Sequence, residues 1–133
     1  MQRTFCLLNH KLTEGQIKEL SDKYNSTHIQ YPPDNVKSLW RNLPTDKKLS
    51  RQTLSVITEW LIDANKNDII ILQGEAGYSF ALVDYALKRQ LLPLHSVTKR
   101  VAKEIYEGEK VHRTYVFEHI CFRPYEYWDS IKI

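Results

Sequence analysis

The sequence predicts an α/β domain in which helices flank a mostly parallel sheet. Its 133 residues are 42% hydrophobic, which suits a single domain, residues 1–133, with one core. Residues 68–73 form a continuous β-branched run, the pattern of a strand that is buried on both faces. Strand-like and helix-like segments alternate along the chain, and this order is typical of parallel strands joined by right-handed crossovers.

The first half of the chain begins with a strand over residues 3–9 that is apolar on both faces. A helix follows at once, because Thr13 and Gln16 have the spacing of a capping box. Residues 27–31 predict a short second strand that ends at two prolines. Two further helices are expected between residues 34 and 64, the second over about residues 50–64.

The second half begins with the strand over residues 68–73, followed by a tight turn over residues 74–77 and an amphipathic helix. Residues 92–98 predict the next strand of the sheet. Residues 99–106 and 111–123 then predict the two arms of a C-terminal β-hairpin that is appended to the core.

Composition excludes several classes of protein. Cys6 and Cys121 each lie in a strand-like run without zinc spacing, which indicates buried free thiols. The N-terminus enters a strand at once, so we expect no signal peptide, and residues 69–72 are too short an apolar run to span a bilayer. The sequence therefore predicts a cytoplasmic protein with no membrane partner.

The charge distribution indicates an anionic ligand. The net charge is only +3, but residues 88–123 contain eight Lys or Arg against four Glu. A solvated charged face would give the same composition, so the surplus alone does not decide between the two interpretations.

The ligand site is expected where loops follow the carboxyl ends of the strands. Gly74 and Gly77 would let backbone amides approach a phosphate closely, although turn and packing glycines look the same. Thr98, Lys99 and Arg100 place a hydroxyl and two cations beyond the next strand end, where a solvated basic turn is the alternative.

Histidine supplies the candidate acid–base chemistry. Asn9 and His10 end a core strand, where His10 would transfer a proton and Asn9 would hold a base or ribose; backbone capping is the alternative. Glu75 is a lone carboxylate, so a two-metal site is not expected. His112 and His119 are interpreted as structural or solvent-facing, and no Gly-x-Ser-x-Gly motif favours a standard hydrolase.

Five motifs occur in an order that spans nearly the whole chain. They are Leu7-Leu8-Asn9-His10-Lys-Leu-Thr13-x-x-Gln16, Trp60-Leu61, Asp68-x-x-Leu-Gln73-Gly74-Glu75-Ala-Gly77, Leu92-Pro93-Leu-His-Ser96-Val-Thr98-x-Arg100, and Val116-Phe117-x-His119-x-x-Phe122-Arg123-x-Tyr125. Together they resemble the small CRISPR-associated accessory family designated Csx-twenty, which is found with type III systems. Glu75 stands where that family favours Asp.

The resemblance implies a Rossmann-like fold related to the CARF domains that sense cyclic oligoadenylates. It also implies a homodimer that limits this antiviral second messenger by opening its ring or by sequestering it, with no DNA partner. Opening an RNA ring needs no cofactor, because the 2′-hydroxyl can attack the adjacent phosphate. His10, Lys99 and Arg100 are the expected catalytic residues. The expected ligand-binding residues are Asn9, Gln73, Gly74, Glu75, Gly77, Tyr78, Ser96 and Thr98.

We therefore predict a metal-independent ring nuclease that linearises cyclic tetra-adenylate. A non-catalytic sponge would use the same pocket, so sequence barely separates the two functions. A toxin-type effector nuclease would need a further domain for which this chain is too short. An α/β interaction module without a ligand would predict no tight nucleotide binding.

Overall fold

The fold was obtained as a computed structural model, which describes residues 2–133. Strands and helices alternate through most of the chain. In order they are β1 (Arg3–Leu7), α1 (Glu14–Tyr24), β2 (His28–Gln30), α2 (Asp34–Arg41), α3 (Arg51–Trp60), β3 (Ile69–Leu72), α4 (Ala76–Lys88), β4 (Leu92–Glu107), β5 (Lys110–Pro124) and a short 3-10 helix (Trp128–Ser130).

The strands form one five-stranded sheet in the order β2-β1-β3-β4-β5. The first three pairings are parallel, and only β4 and β5 pair antiparallel. Cys6 of β1 lies opposite Ile71 of β3, which in turn lies opposite Leu94 of β4. The predicted α/β class with a mostly parallel sheet and flanking helices is confirmed, and the arrangement is consistent with a Rossmann-like fold.

Helices cover both faces of the sheet, which explains why its central strands are apolar throughout. Phe5 and Ile70 belong to a core cluster that α2, α3 and α4 complete, whereas Cys6 and Ile71 belong to a second cluster that includes Leu20 of α1. Successive side chains of a strand point to opposite faces, so a strand between two helical layers needs no polar positions. No helix within residues 2–133 is long and apolar enough to cross a membrane.

Local sequence signals determine where the helices begin. The predicted capping box is present in α1: Thr13 Oγ1 accepts from the Gln16 amide at 3.2 Å, and Gln16 Oε1 accepts from the Thr13 amide at 3.0 Å. Ser50 caps α3 by accepting from the Thr53 amide at 3.1 Å. The capping box of α1 and the Ser50 cap of α3 thus supply acceptors for backbone amides that have no partner within the first turn of a helix.

The second half differs from the sequence prediction in its boundaries. The strand predicted over residues 92–98 and the arm predicted over residues 99–106 are one continuous strand, β4. Its outer part and most of β5 are exposed, because the helices cover only the sheet core. The turn between them contains Gly108 at φ +61°, a left-handed conformation that glycine adopts at little cost.

The two cysteines are free and differ in exposure. Cys6 is buried in β1, and burial raises the pKa of its thiol to about 12. Cys121 lies in β5 and is half-buried. The interpretation as a buried free thiol is therefore confirmed for Cys6, whereas Cys121 is more accessible than predicted.

Candidate functional site

A polar cavity of about 330 Å³ lies at the carboxyl ends of β1 and β3 and beside the middle of β4 and β5. It brings together six of the predicted site residues: Asn9, His10, Gln73, Gly74, Ser96 and Thr98. Leu8, Thr13, Gln16, Phe117 and His119 complete its lining. We call it the polar cavity.

His119 reaches this cavity because β4 and β5 are out of step by one residue. Val97 lies opposite Cys121, but Thr98 lies opposite His119, so Ile120 is an extra residue in β5. A β-bulge of this kind changes the face to which the following side chains point. His119 therefore takes the face of the sheet that Ile120 would occupy in a regular ladder, and this is the face that Thr98 shares.

His119 is bonded on both sides of its ring. Nδ1 contacts Ser96 Oγ and lies 3.4 Å from Gln16 Nε2, while Nε2 lies 2.7 Å from Glu19 Oε1. Glu19 Oε2 accepts from the Phe122 amide at 2.7 Å. The side chains of His119 and Glu19 are only 13% and 9% exposed, so water competes little for these bonds. Of the two interpretations of His119, structural or solvent-facing, the solvent-facing one is wrong, since its ring lies between α1, β4 and the cavity.

Gln73 is held in place from two directions. Its Oε1 accepts from the Ser96 amide at 2.9 Å, and its carbonyl oxygen accepts from Trp40 Nε1 at 3.0 Å. Gly74 follows directly under the same indole, and a Cβ there would lie 2.5 Å from Trp40 Cζ2. This close approach gives a structural reason for glycine at position 74.

Three of the predicted ligand-binding residues line neither this cavity nor the one described below. Glu75 caps α4: its Oε1 accepts from the Gly77 amide and, at 3.1 Å, from the Tyr78 amide. The amides expected to face a phosphate are thus already bonded to a carboxylate. Gly77 lies in the first turn of α4, and Tyr78 is buried, with its hydroxyl accepting from the Ser50 amide at 3.0 Å.

Lys99 and Arg100, both predicted to be catalytic, lie beyond the cavity on the exposed part of β4. Alternation places Arg100 on the same face as Thr98 and Lys99 on the opposite face. The Arg100 guanidinium stacks 3.7 Å from the ring centroid of Tyr115. Of the two cations, Arg100 is therefore the one that is turned toward the site.

A second, cationic cavity of about 170 Å³ adjoins the first at the β2 side of the sheet. Its lining includes Lys11, Lys37 and Arg41 with one carboxylate, Asp34. The rest of its lining is Leu8, Asn9, His10, Tyr31 and Pro32. We call it the cationic cavity.

Asn9 and His10 line both cavities and so form the boundary between them. The ring of His10 is held by its Nδ1, which lies 2.9 Å from the carbonyl oxygen of Lys11. Because a carbonyl can only accept, Nδ1 of His10 carries the proton and donates it to Lys11. In the neutral ring, Nε2 therefore has a lone pair with which it can accept a hydrogen bond. The imidazole of His10 is thus held at the junction of the cavities.

A larger, mostly apolar groove of about 500 Å³ lies between α3 and α4, away from the strand ends. Its lining includes Leu54, Phe80 and Tyr85, together with four charged residues, Arg51, Asp84, Lys88 and Arg89. It contains none of the predicted site residues. The polar cavity, in which side chains from four strand or loop segments converge, is the better candidate for chemistry.

The described residues 2–133 contain no group of three His, Cys, Asp or Glu side chains that could hold a metal ion. The polar cavity does contain two side chains that can act as acids or bases, since both His10 and His119 line it.

Residues 2–123 match the sequence profile of the family described as the "Uncharacterized protein MJ1673 family". The chain belongs to this family. A curated relative from Methanocaldococcus jannaschii, "Uncharacterized protein MJ1673", is 35% identical over 126 residues, which span 94% of this chain and 98% of the relative. No solved structure matches the chain significantly.

Sequence reasoning did not include five side chains that line or adjoin the candidate site of this MJ1673-family chain. They are Lys11, Lys37 and Arg41 in the cationic cavity, and Glu19 and His119 beside the polar one. The cations on α2 were hidden because their helical spacing resembles that of any solvated face. His119 was hidden by the bulge, whose register the sequence does not display.

Proposed function

We propose that the protein binds cyclic tetra-adenylate and opens its ring, so that it switches off type III CRISPR antiviral signalling in the cytoplasm. The observation that supports this most directly is the pairing of a cationic cavity with a polar cavity across the Asn9–His10 bend. A cyclic oligoadenylate carries a phosphate at every linkage, and each phosphate lies beside a ribose hydroxyl. The two cavities match these two parts of the ligand.

Lys37 and Arg41 are proposed to hold phosphate, since Arg offers a bidentate fork and Lys a mobile charge. Asn9 and His10 would contact the adjacent ribose and take part in proton transfer. Arg100 would contribute charge from the rim of the site, and Lys99 would contribute less because it points to the other face. The reaction is proposed to be metal-independent and to end in a 2′,3′-cyclic phosphate.

The identity of the ligand comes from the resemblance to the Csx-twenty family, and the CARF-like relation and the homodimer are part of the same proposal. In such a dimer the symmetric ring would lie across the two-fold axis. Each protomer would then supply one pair of cavities to the ring.

The test is to incubate the purified protein with cyclic tetra-adenylate, with and without EDTA, and to identify the products by chromatography and mass spectrometry. Linear adenylates that form despite EDTA would support the proposal. An intact ring that co-elutes with the protein would mean that the protein is a sponge. An intact ring that does not bind would contradict the proposed ligand.

A further inference from the structure

Glu19, His119 and Ser96 form a continuous hydrogen-bonded chain from a nearly buried carboxylate to a hydroxyl in the polar cavity. Side chains from α1, β5 and β4 meet there, although Glu19 and His119 are 100 residues apart in sequence and Ser96 and His119 are 23 apart. A base that is hydrogen-bonded to a hydroxyl and oriented by a third group is the general arrangement of acid–base and nucleophilic sites.

The partners of His119 determine which ring nitrogen carries the proton. Nε2 faces a Glu19 oxygen, which in the ionised carboxylate only accepts, so Nε2 is the protonated nitrogen. Nδ1 faces the Ser96 hydroxyl and the Gln16 amide nitrogen, both of which can donate. Gln16 has its nitrogen on this side because its oxygen accepts from the Thr13 amide at 3.0 Å. The lone pair of Nδ1 is therefore directed toward Ser96 and the cavity.

We propose that Glu19, His119 and Ser96 are the proton-accepting unit of this site, and that its substrates are RNA-type phosphodiesters with a free 2′-hydroxyl. This inference rests on the proposed function. The 2′-hydroxyl gives its proton to Ser96 Oγ while the Ser96 proton passes to His119 Nδ1. The O2′–P bond forms, the P–O5′ bond breaks, and the 5′-oxygen leaves with the Nε2 proton of His10 in its imidazolium form, which returns to the neutral ring with its proton on Nδ1. Glu19 is a positioning residue that stabilises the charge gained by His119.

The surroundings of Ser96 favour a relay over a covalent nucleophile. Nucleophilic serines commonly use their own amide N–H to stabilise the oxyanion. Here the Ser96 amide donates to Gln73 Oε1 at 2.9 Å, so it is already occupied. Ser96 also lies within a continuous strand. A 2′-hydroxyl supplied by the substrate avoids both obstacles.

A structural role must be separated from this one, because Glu19 also bonds the Phe122 amide and so attaches α1 to β5. Glu19→Gln makes the distinction. If the new amide keeps its oxygen on the Phe122 N–H, its NH2 faces Nε2 and the His119 proton moves to Nδ1. The fold is then retained with the wrong tautomer, which ¹⁵N chemical shifts of the imidazole report directly.

The experiment measures single-turnover opening of cyclic tetra-adenylate, its binding, and the His119 tautomer in wild type, His119→Gln, Glu19→Gln and Ser96→Ala. The matched control is His112→Gln, an exposed histidine on the same strand. We expect His119→Gln to slow ring opening about a thousandfold and the other two variants to slow it by about ten- to a hundredfold. Binding should stay within about threefold, and the control should match wild type.

The substrate class is tested with the same ring methylated at every 2′-oxygen, which should bind and stay intact. Ring opening at wild-type rates in His119→Gln would overturn the inference and leave the proposed function in place. So would a wild-type His119 with its proton on Nδ1, or a covalent phosphate adduct on Ser96.

If the wild-type protein leaves the ring intact, the proposed ring opening is wrong. The role of Glu19, His119 and Ser96 is then tested separately, by incubating the same variants with a linear ribo-oligoadenylate. Cleavage of this probe that needs both His119 and the 2′-hydroxyl would sustain the inference. Absence of such cleavage would overturn it.

Discussion

The two cavities at the strand ends differ in how their polar groups are held. In the cationic cavity, Lys11, Lys37 and Arg41 are exposed. In the polar cavity, Ser96 and His119 are half-buried and bonded in a chain that ends at Glu19. Exposed charges attract an anion over a Debye length but position it loosely, whereas a partly buried hydrogen-bonded chain fixes one geometry.

Under the proposed function, this difference predicts that binding strength and reaction rate depend on different parts of the molecule. Uniform binding energy lowers the dissociation constant without accelerating chemistry, and a positioned base does the reverse. Asn9 and His10 belong to both cavities, so they are the positions at which the two effects should mix.

The largest effect on ligand binding is expected when the cationic cavity loses its charges. Lys37→Ala with Arg41→Ala should weaken binding of cyclic tetra-adenylate about 100-fold, because each charge-assisted contact contributes roughly tenfold. Titration calorimetry at two salt concentrations measures this, and the difference from wild type should shrink as salt rises. Lys66→Ala with Lys88→Ala removes the same charge at the other end of the sheet, and equal weakening there would contradict a localised site.

A substitution of Asp68 tests whether the end of the sheet opposite the cavities contributes to stability but not to ligand binding. Burial alone would raise the pKa of Asp68, but bonds from the Arg3 and Asn65 amides and the Arg3 guanidinium outweigh it and hold the pKa below its ordinary 3.8. The ionised carboxylate therefore stabilises the fold above about pH 4, and this contribution is lost as the pH falls through the lowered pKa.

Asp68→Asn should lower the free energy of unfolding by about 2 kcal/mol at pH 7. The difference from wild type should narrow on acidification, as measured by urea denaturation. Ligand affinity of the folded variant should not change. A loss of affinity without loss of stability would contradict the separation of the two ends of the sheet.

Gly74→Ala should affect both cavities at once. The new Cβ would press on Trp40, which lies on α2 with Lys37 and Arg41 and also bonds the carbonyl of Gln73. We expect about 1–2 kcal/mol of destabilisation, together with losses in both affinity and rate. Gly15→Ala is the matched control, because its Cβ would meet only Thr13 Oγ1 at 4.0 Å; it should be neutral or slightly stabilising. Equal thermal melting of the two variants would contradict this account.

The smallest effect on ligand binding is expected from Lys99 and Arg100, the two cations that the sequence analysis predicted to be catalytic. Arg100→Ala should weaken binding by about threefold through lost long-range attraction, and Lys99→Ala by less, because it points away. Parallel titrations measure both. A tenfold or larger loss of ring-opening rate in Lys99→Ala would restore the sequence-based assignment of this residue.

The sequence predicted the parts of the fold that depend on local patterns. The β-branched run of β3 and the Thr13–Gln16 capping box have direct physical signatures, and both are present. The polar residues Asn9, Gln73 and Ser96 were placed in one site because parallel strands end at one edge.

The rest depends on tertiary register. A single bulge decides whether His119 or Ile120 faces the cavity, and pairing energies along the whole ladder determine where it forms. The carboxylate of Glu75 occupies amides that the glycine spacing had suggested for phosphate. Competition of this kind between a side chain and a ligand for the same donors is visible only in three dimensions.

The central claim is tested most directly by measuring affinity and single-turnover rate side by side for two variants. The account predicts that Lys37→Ala with Arg41→Ala loses affinity and keeps most of its rate at saturating ligand, while His119→Gln loses rate and keeps its affinity. If both variants lost affinity and rate in the same proportion, or if neither variant differed from wild type, the division of binding and chemistry between the two cavities would be contradicted.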